Sequence, residues 1–256
     1  MGSGFSFREC FSEFIGVFTL VYFGGWSVIL VVNEKIDLLS VAMVHSITLG
    51  LYIWAGGAYS GCHFNPAVTF AFFVGKHIDS LKMTFYVVSQ FCGSYMAAVV
   101  LYYTIPEVLY LTSYDKGAEL GSPHMNPEFY GLTGFIMEIM GTFVLQFIIC
   151  CLASQGNAPG YAFVIGFGIA ISVFSIGGIT GASINPFRYL GPALLSMQLS
   201  DAWIYLIAPL IGSAAAMILH QKVFELSDWE KAEIEAEKLA AKEAELAKNE
   251  ATEQTA

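Results

Sequence analysis

Three landmarks occur twice in this chain, in the same order. Glu13-Phe14-Ile15-Gly16-Val17-Phe18 is answered by Glu138-Ile139-Met140-Gly141-Thr142-Phe143, Gly61-x-x-x-Asn65-Pro66 by Gly181-x-x-x-Asn185-Pro186, and Gly93-Ser94 by Gly212-Ser213. The similar spacing makes chance a poor explanation and marks an internal repeat. Each half carries three apolar stretches that approach or reach the roughly 20 residues a bilayer demands. They fall at about 10–32, 39–58 and 84–105, then at about 132–153, 158–178 and 202–221. Three is an odd number, so the second copy must enter the membrane upside down relative to the first. Inverted repeats build transporters and channels whose site lies at the midplane, where the halves meet.

Composition agrees with that reading. With 56% hydrophobic and 12% charged residues, too few polar side chains exist to coat a soluble domain. The expected class is an all-α integral membrane protein that crosses the bilayer six times. Arg8, Lys76, Lys82 and Lys222 then fall on one side and Lys35 and Lys116 on the other, which predicts that both termini are cytoplasmic. The net charge of −10 does not argue for a cationic partner, because nine acidic side chains against four lysines after Ser227 supply half of it. The expected organisation is a channel domain over 1–226, with inverted halves at about 5–105 and 132–225. An acidic cytoplasmic tail over 227–256 follows, read as a solvated, partly helical extension.

The two Asn-Pro pairs start helices at membrane depth. Asn is a preferred N-cap and Pro a preferred first helical residue, so Pro66 to about Gly75 and Pro186 to about Met197 are predicted as short helices. About ten residues at 1.5 Å rise span roughly 15 Å, half of a roughly 30 Å hydrocarbon core. Two such half-helices, entering from opposite faces, would meet tip to tip and make a seventh pseudo-span. The glycine-rich approaches, 56–61 and 177–181, are expected to be non-helical and to offer a ladder of carbonyls along a pore. Backbone of that kind survives in a membrane only where it is buried in protein or lines water. A third pair, Asn126-Pro127, lies in the polar connection and reads as ordinary loop chemistry; His124 and Asn126 are weak candidates for the outer mouth.

His63-Phe64-Asn65-Pro66-Ala67-Val68-Thr69, and Gly181-Ala182-Ser183-Ile184-Asn185-Pro186 followed by Arg188 and Gly191-Pro192-Ala193, resemble the two signatures of the aquaporin, or major intrinsic protein, family. The resemblance covers about 5–225. It implies six transmembrane helices plus two re-entrant half-helices in an inverted repeat, a homotetramer with one pore per subunit, and passive conduction of water or small neutral solutes. Asn65, Pro66, Ala67, Asn185, Pro186 and Phe187 would form the central constriction. His45, Val173, Ala182 and Arg188 would fall at the four filter positions, a set similar to that of tonoplast-type aquaporins, which makes ammonia or urea plausible besides water. Glycerol facilitators of the family carry Asp after the filter Arg and Lys after the Gly-Pro, where this chain has Tyr189 and Ala193. Phe187 departs from the family pattern, which has a small Ala there; overpacking at the tip contact costs roughly 1–3 kcal/mol, so either the neighbours make room or the half-helix is displaced, with the pore centre open to alteration.

Two helix N-termini at the midplane place about half a positive charge each against any cation. The amide N–H groups of Asn65 and Asn185, pointing into the lumen, would hold a water's oxygen and turn its hydrogens outward, breaking a proton wire. Arg188, three residues after Asn185, shares the Asn face, and an arginine in a membrane is a functional hypothesis by default. Glu13 and Glu138 are expected to accept backbone N–H groups of the two re-entrant loops rather than relay protons. Cys62 borders the expected lumen and is a candidate for mercurial sensitivity. No nucleophile and base stand at an enzymatic spacing, and no cofactor, metal or nucleic acid is expected; the partners are water, small neutral solutes and the bilayer. A glycerol or small-solute facilitator and a closed structural membrane protein of the same fold stay open as alternatives.

Overall fold

The computed structural model describes residues 6–156 and 160–224, together with Glu233, Ala236 and Leu239. The expected acidic tail at 227–256 therefore lies, those three positions apart, outside the described residues. Among the described residues, six helices have the length and apolarity to cross a membrane: α1 (Phe7–Val32), α2 (Leu38–Ser60), α4 (Ser80–Thr104), α6 (Gly131–Ser154), α7 (Tyr161–Thr180) and α9 (Ala202–Val223). Between them lie the half-helices α3 (Pro66–Val74) and α8 (Pro186–Ser196), and a short helix α5 (Glu107–Asp115) in the connection between the repeats. The chain is an all-α, multi-pass membrane protein, and the spans agree with the apolar stretches to within a few residues.

Local chemistry sets the helix starts. Ser6, Asp37 and Asp79 each accept a backbone N–H of the first turn of α1, α2 and α4. Asn65 and Asn185 do the same for α3 and α8, with Pro at the first helical position, as the sequence predicts. The half-helices have 9 and 11 residues. At 1.5 Å per residue they reach roughly 14–17 Å, half a bilayer core.

The expectation of non-helical backbone over 56–61 and 177–181 does not hold. The glycine-rich approaches are mostly helical: α2 continues through Gly56 and Gly57 to Ser60, and α7 through Gly177 and Gly178 to Thr180. The helices stop only at Gly61 and Gly181, which adopt left-handed φ values of 80° and 74°. The non-helical backbone is thus confined to 61–64 and 181–184. Intrinsic glycine propensity loses because these helices are packed against neighbours, and helical propensity is a weak prior inside a packed bundle.

The repeat is visible in the packing. Gly93 on α4 lies so close to α1 that a Cβ there would be 2.3 Å from the Phe14 carbonyl oxygen; Gly212 on α9 lies equally close to α6, 2.2 Å from that of Ile139. Each recurring glycine thus docks on the residue after its recurring glutamate, which explains why both landmarks repeat together. Across the halves, α2 packs along α7, and α4 against α8. Ala71 of α3 shares a buried cluster with Cys150 of α6 and Met217 of α9. Each half-helix is therefore held in part by the other repeat.

Candidate functional site: a cavity between two half-helices

Two buried carboxylates hold the non-helical loops. Glu13 is fully buried; its Oε1 accepts from the Ser60 hydroxyl (2.7 Å) and the His63 N–H (2.9 Å), its Oε2 from the Phe64 N–H (2.7 Å) and the Gln90 amide (2.7 Å). Glu138 repeats the scheme: Oε1 accepts from the Thr180 hydroxyl (2.7 Å) and the Ser183 N–H (2.9 Å), Oε2 from the Ile184 N–H (2.6 Å). Consecutive N–H groups can converge on one carboxylate because the backbone alternates in hand. Cys62 and Phe64, with φ 54° and 48°, and Ala182 and Ile184, with φ 45° and 43°, are left-handed without being glycine. Such conformations cost about 1–3 kcal/mol each and persist only where surroundings over-determine them.

That geometry fixes the carbonyls as well. No cis peptide occurs among the described residues, and in a trans peptide C=O points opposite to N–H. The carbonyls of Cys62 and His63, and of Ala182 and Ser183, are therefore turned away from Glu13 and Glu138. All four residues line a cavity of about 200 Å³ between the half-helices. The carbonyl ladder thus comes from these short segments.

Asn65 and Asn185 meet across the repeat axis. Each side-chain oxygen caps its own half-helix, accepting from Ala67 N–H at 2.9 Å and from Phe187 N–H at 2.9 Å. Each side-chain amide donates to the opposite loop, Asn65 to the Ile184 carbonyl (2.8 Å) and Asn185 to the Phe64 carbonyl (2.9 Å). A carboxamide has two N–H donors, so one per Asn is left over, on residues that both line the cavity. Pro66, Ala67 and Pro186 are buried and do not line it.

Phe187 requires a correction. Its ring lies outside the cavity lining, packed edge-to-face against Phe91 of α4 with centroids 5.6 Å apart, and its carbonyl accepts from the Ser94 hydroxyl. The large side chain leaves toward α4 instead of overfilling the tip contact. Phe187→Ala is accordingly expected to leave permeability within about twofold of wild type in stopped-flow light scattering. It should also lower thermal stability through a cavity, phenylalanine-to-alanine changes in cores costing about 3–5 kcal/mol. A large permeability gain would return the ring to the lumen.

At one end of the cavity Arg188 is 2% exposed. Its Nε donates to His45 Nε2 (3.1 Å) and its Nη1 to the Gly121 carbonyl (2.8 Å). Guanidinium can only donate, so His45 Nε2 accepts and the ring proton sits on Nδ1, which bonds the Val41 carbonyl at 2.9 Å. His45, Ala182 and Arg188 line the cavity; Val173 does not, being 2% exposed in the core cluster, and Ile169 one turn earlier lines it instead. Cys62 lines the cavity near Gly61. Asn126 ties the connection to the end of α7, through its N–H to Ile179 (2.8 Å) and its amide to Gly178 (3.3 Å).

Several contributors lie beyond the predicted set. Tyr86 and Tyr205 donate their hydroxyls to the carbonyls of Ser60 and Thr180, both at 2.7 Å. They stand seven residues before the recurring glycines Gly93 and Gly212, so aligning the repeats would have found them. The Gly121 carbonyl has no such signal. Its turn also buries Glu119, whose carboxylate oxygens have no hydrogen-bond partner among the described residues, and burial pushes that carboxyl above its ordinary range.

A family model described as major intrinsic protein matches residues 3–220. The chain belongs to the major intrinsic protein family. It is 35% identical over 214 residues to aquaporin NIP3-1 of Arabidopsis thaliana, covering 80% of this chain and 64% of that protein, so it spans just under two thirds of that relative's length. It is 35% identical over 214 residues to nodulin-26 of Glycine max, with 81% and 74% covered. Human aquaporin-2 is 31% identical over 221 residues, with 84% and 78% covered. An X-ray structure of the aquaglyceroporin from Plasmodium falciparum superposes with a TM-score of 0.72, covering 84% of this chain and 96% of that one; at 22% identity it speaks to the fold alone. Members of the major intrinsic protein family are passive channels and not enzymes.

Proposed function

We propose that this major intrinsic protein conducts water, and with it ammonia or urea, while excluding protons and ions. The observation that carries the reading is the arrangement of Asn65, Asn185, His45 and Arg188 on one cavity. The free amide N–H of each Asn holds a passing water's oxygen, and the carbonyls of 62–63 and 182–183 take its hydrogens. Water so oriented cannot pass a proton along its file. The positive ends of α3 and α8 converge at the same point and oppose cations. Arg188 adds a full charge at one mouth, where His45 and Ala182 form the other walls; with His45 on one wall and small Ala182 beside it, the aperture suits a small polar solute. Val173 belongs behind this ring rather than on it.

A homotetramer with one pore per subunit and both termini in the cytoplasm complete the proposal. The glycerol alternative is disfavoured by Tyr189, which is stacked on Tyr205 with centroids 4.6 Å apart instead of meeting solute. The closed structural alternative rested on Phe187, whose ring is packed on α4. Proteoliposomes tested by stopped-flow light scattering are expected to pass water well above protein-free vesicles, urea or ammonia measurably, and glycerol least. Folded protein that passes no water above background would overturn the reading.

A further inference from the structure

Arg188 is held by two acceptors, and both are seated on adjacent residues of one helix that never touches the lumen there. A Cβ built on Gly24 of α1 would lie 2.5 Å from His45 Nε2 and 3.0 Å from both Cδ2 and Cε1. Those three atoms are one edge of the imidazole, so the ring edge rests on bare backbone. The ring has little room to yield, because Nδ1 bonds the Val41 carbonyl and Nε2 receives Arg188. The next residue, Gly25, faces the turn that supplies the second acceptor. A Cβ on Gly25 would lie 3.2 Å from the Leu120 carbonyl oxygen and 2.9 Å from a Leu101 methyl, and one on Gly121 would lie 2.4 Å from the Gly25 Cα.

We propose that the Gly24-Gly25 pair is a specificity-determining element of the channel, seating His45 through Gly24 and the Gly121 carbonyl through Gly25, and so placing the Arg188 guanidinium. Gly24 and Gly25 are positioning residues, since neither lines the cavity. Any side chain at 24 forces the imidazole off α1. The open space beside it is the cavity that His45 already lines, so the ring swings into the lumen and leaves Arg188 Nε without its acceptor. A Cβ at 25 displaces the Leu101 methyl and presses the Leu120 carbonyl, shifting the turn whose Gly121 carbonyl accepts from Nη1. The two substitutions therefore act on the same cation by separate routes. This inference rests on His45 and Arg188 forming the filter.

The test is a double-mutant cycle in purified full-length protein, read by thermal unfolding and by stopped-flow water and urea permeability. Gly24→Ala alone is expected to lower water permeability about tenfold, lower urea permeability further, and reduce the melting temperature. In a His45→Ala background, where no ring remains to be displaced, adding Gly24→Ala should change permeability less than twofold and leave the melting temperature unmoved. Gly25→Ala should keep its full effect in the His45→Ala background, because it works through Gly121. If Gly24→Ala misfolds while the double variant folds, the clash with the ring is supported by rescue. The proposal is overturned if Gly24→Ala resembles wild type, or if its defect, including misfolding, persists without the imidazole. Wild-type vesicles that pass no water would sink the channel reading, while the melting-temperature cycle would still decide whether Gly24 seats His45.

Discussion

Glu138→Leu is expected to give no folded channel. The substitution removes the acceptor of the Ser183 and Ile184 N–H groups and of the Thr180 hydroxyl, all buried. The Thr180 hydroxyl can turn to the Ile176 carbonyl at 3.4 Å, but the two N–H groups are left unpaired, and at about 1–3 kcal/mol for each buried donor they cost about 2–6 kcal/mol. Total stabilities of about 5–15 kcal/mol leave little margin for that. The loss also removes the acceptor that orients the left-handed Ala182 and Ile184, leaving only the Thr180 hydroxyl on the Ala182 N–H and the Asn65 amide on the Ile184 carbonyl to hold them. Glu138→Gln is the informative companion. Its carbonyl still accepts from Ser183 and Thr180, whereas its NH₂ meets the Ile184 N–H, donor against donor. Thermal unfolding in detergent should rank wild type above Gln and Gln above Leu, and water permeability should follow the same order. A leucine variant as stable as wild type would show that the carboxylate is not what shapes the loop.

Arg188→Val is expected to leave the pore open and make it leaky to charge. At an effective dielectric near 20, a cation about 4 Å from the guanidinium feels roughly 4 kcal/mol of repulsion, close to three decades in partition. Removing it should raise sodium and proton leak by up to about a thousandfold, as read by a pH-sensitive dye in vesicles under an imposed gradient. The half-helix tips keep opposing cations, so part of the barrier remains. Water permeability should change only severalfold, and urea should gain. An unchanged leak would assign charge exclusion to the tips and the two asparagines alone.

The parts legible in the sequence were those with local or periodic causes. Span lengths follow from bilayer thickness, and the half-helix starts follow from the Asn cap and the Pro ring at 65–66 and 185–186. Glu13 and Glu138 were legible because a carboxylate in an apolar stretch needs donors and the repeat says where donors recur. The helical state of 56–60 was not, because glycine content argues against helix while the reason for these glycines is tertiary. Gly57 is bare because a Cβ there would lie 2.5 Å from the Tyr161 hydroxyl. The direction of the Phe187 ring was not legible either: residue volume gives the size of a side chain, and only the backbone and Phe91 give its heading. The Gly121–Arg188 bond joins residues 67 apart with no repeat to announce it. Gly24 and Gly25 read as ordinary helix glycines until their neighbours are known.

The bond from Gly121 to Arg188 comes from the connection between the repeats, a segment that belongs to neither. Among the described residues lining the cavity, Arg188 is the sole permanent charge. A pore assembled from two separately made halves would therefore keep both half-helices, both capped asparagines and both carboxylate braces. It would lose one of the two acceptors that steady its one cation, keeping only His45. Duplication and inversion account for the paired frame around the cavity; the setting of its one cation depends in part on the segment that joins the copies.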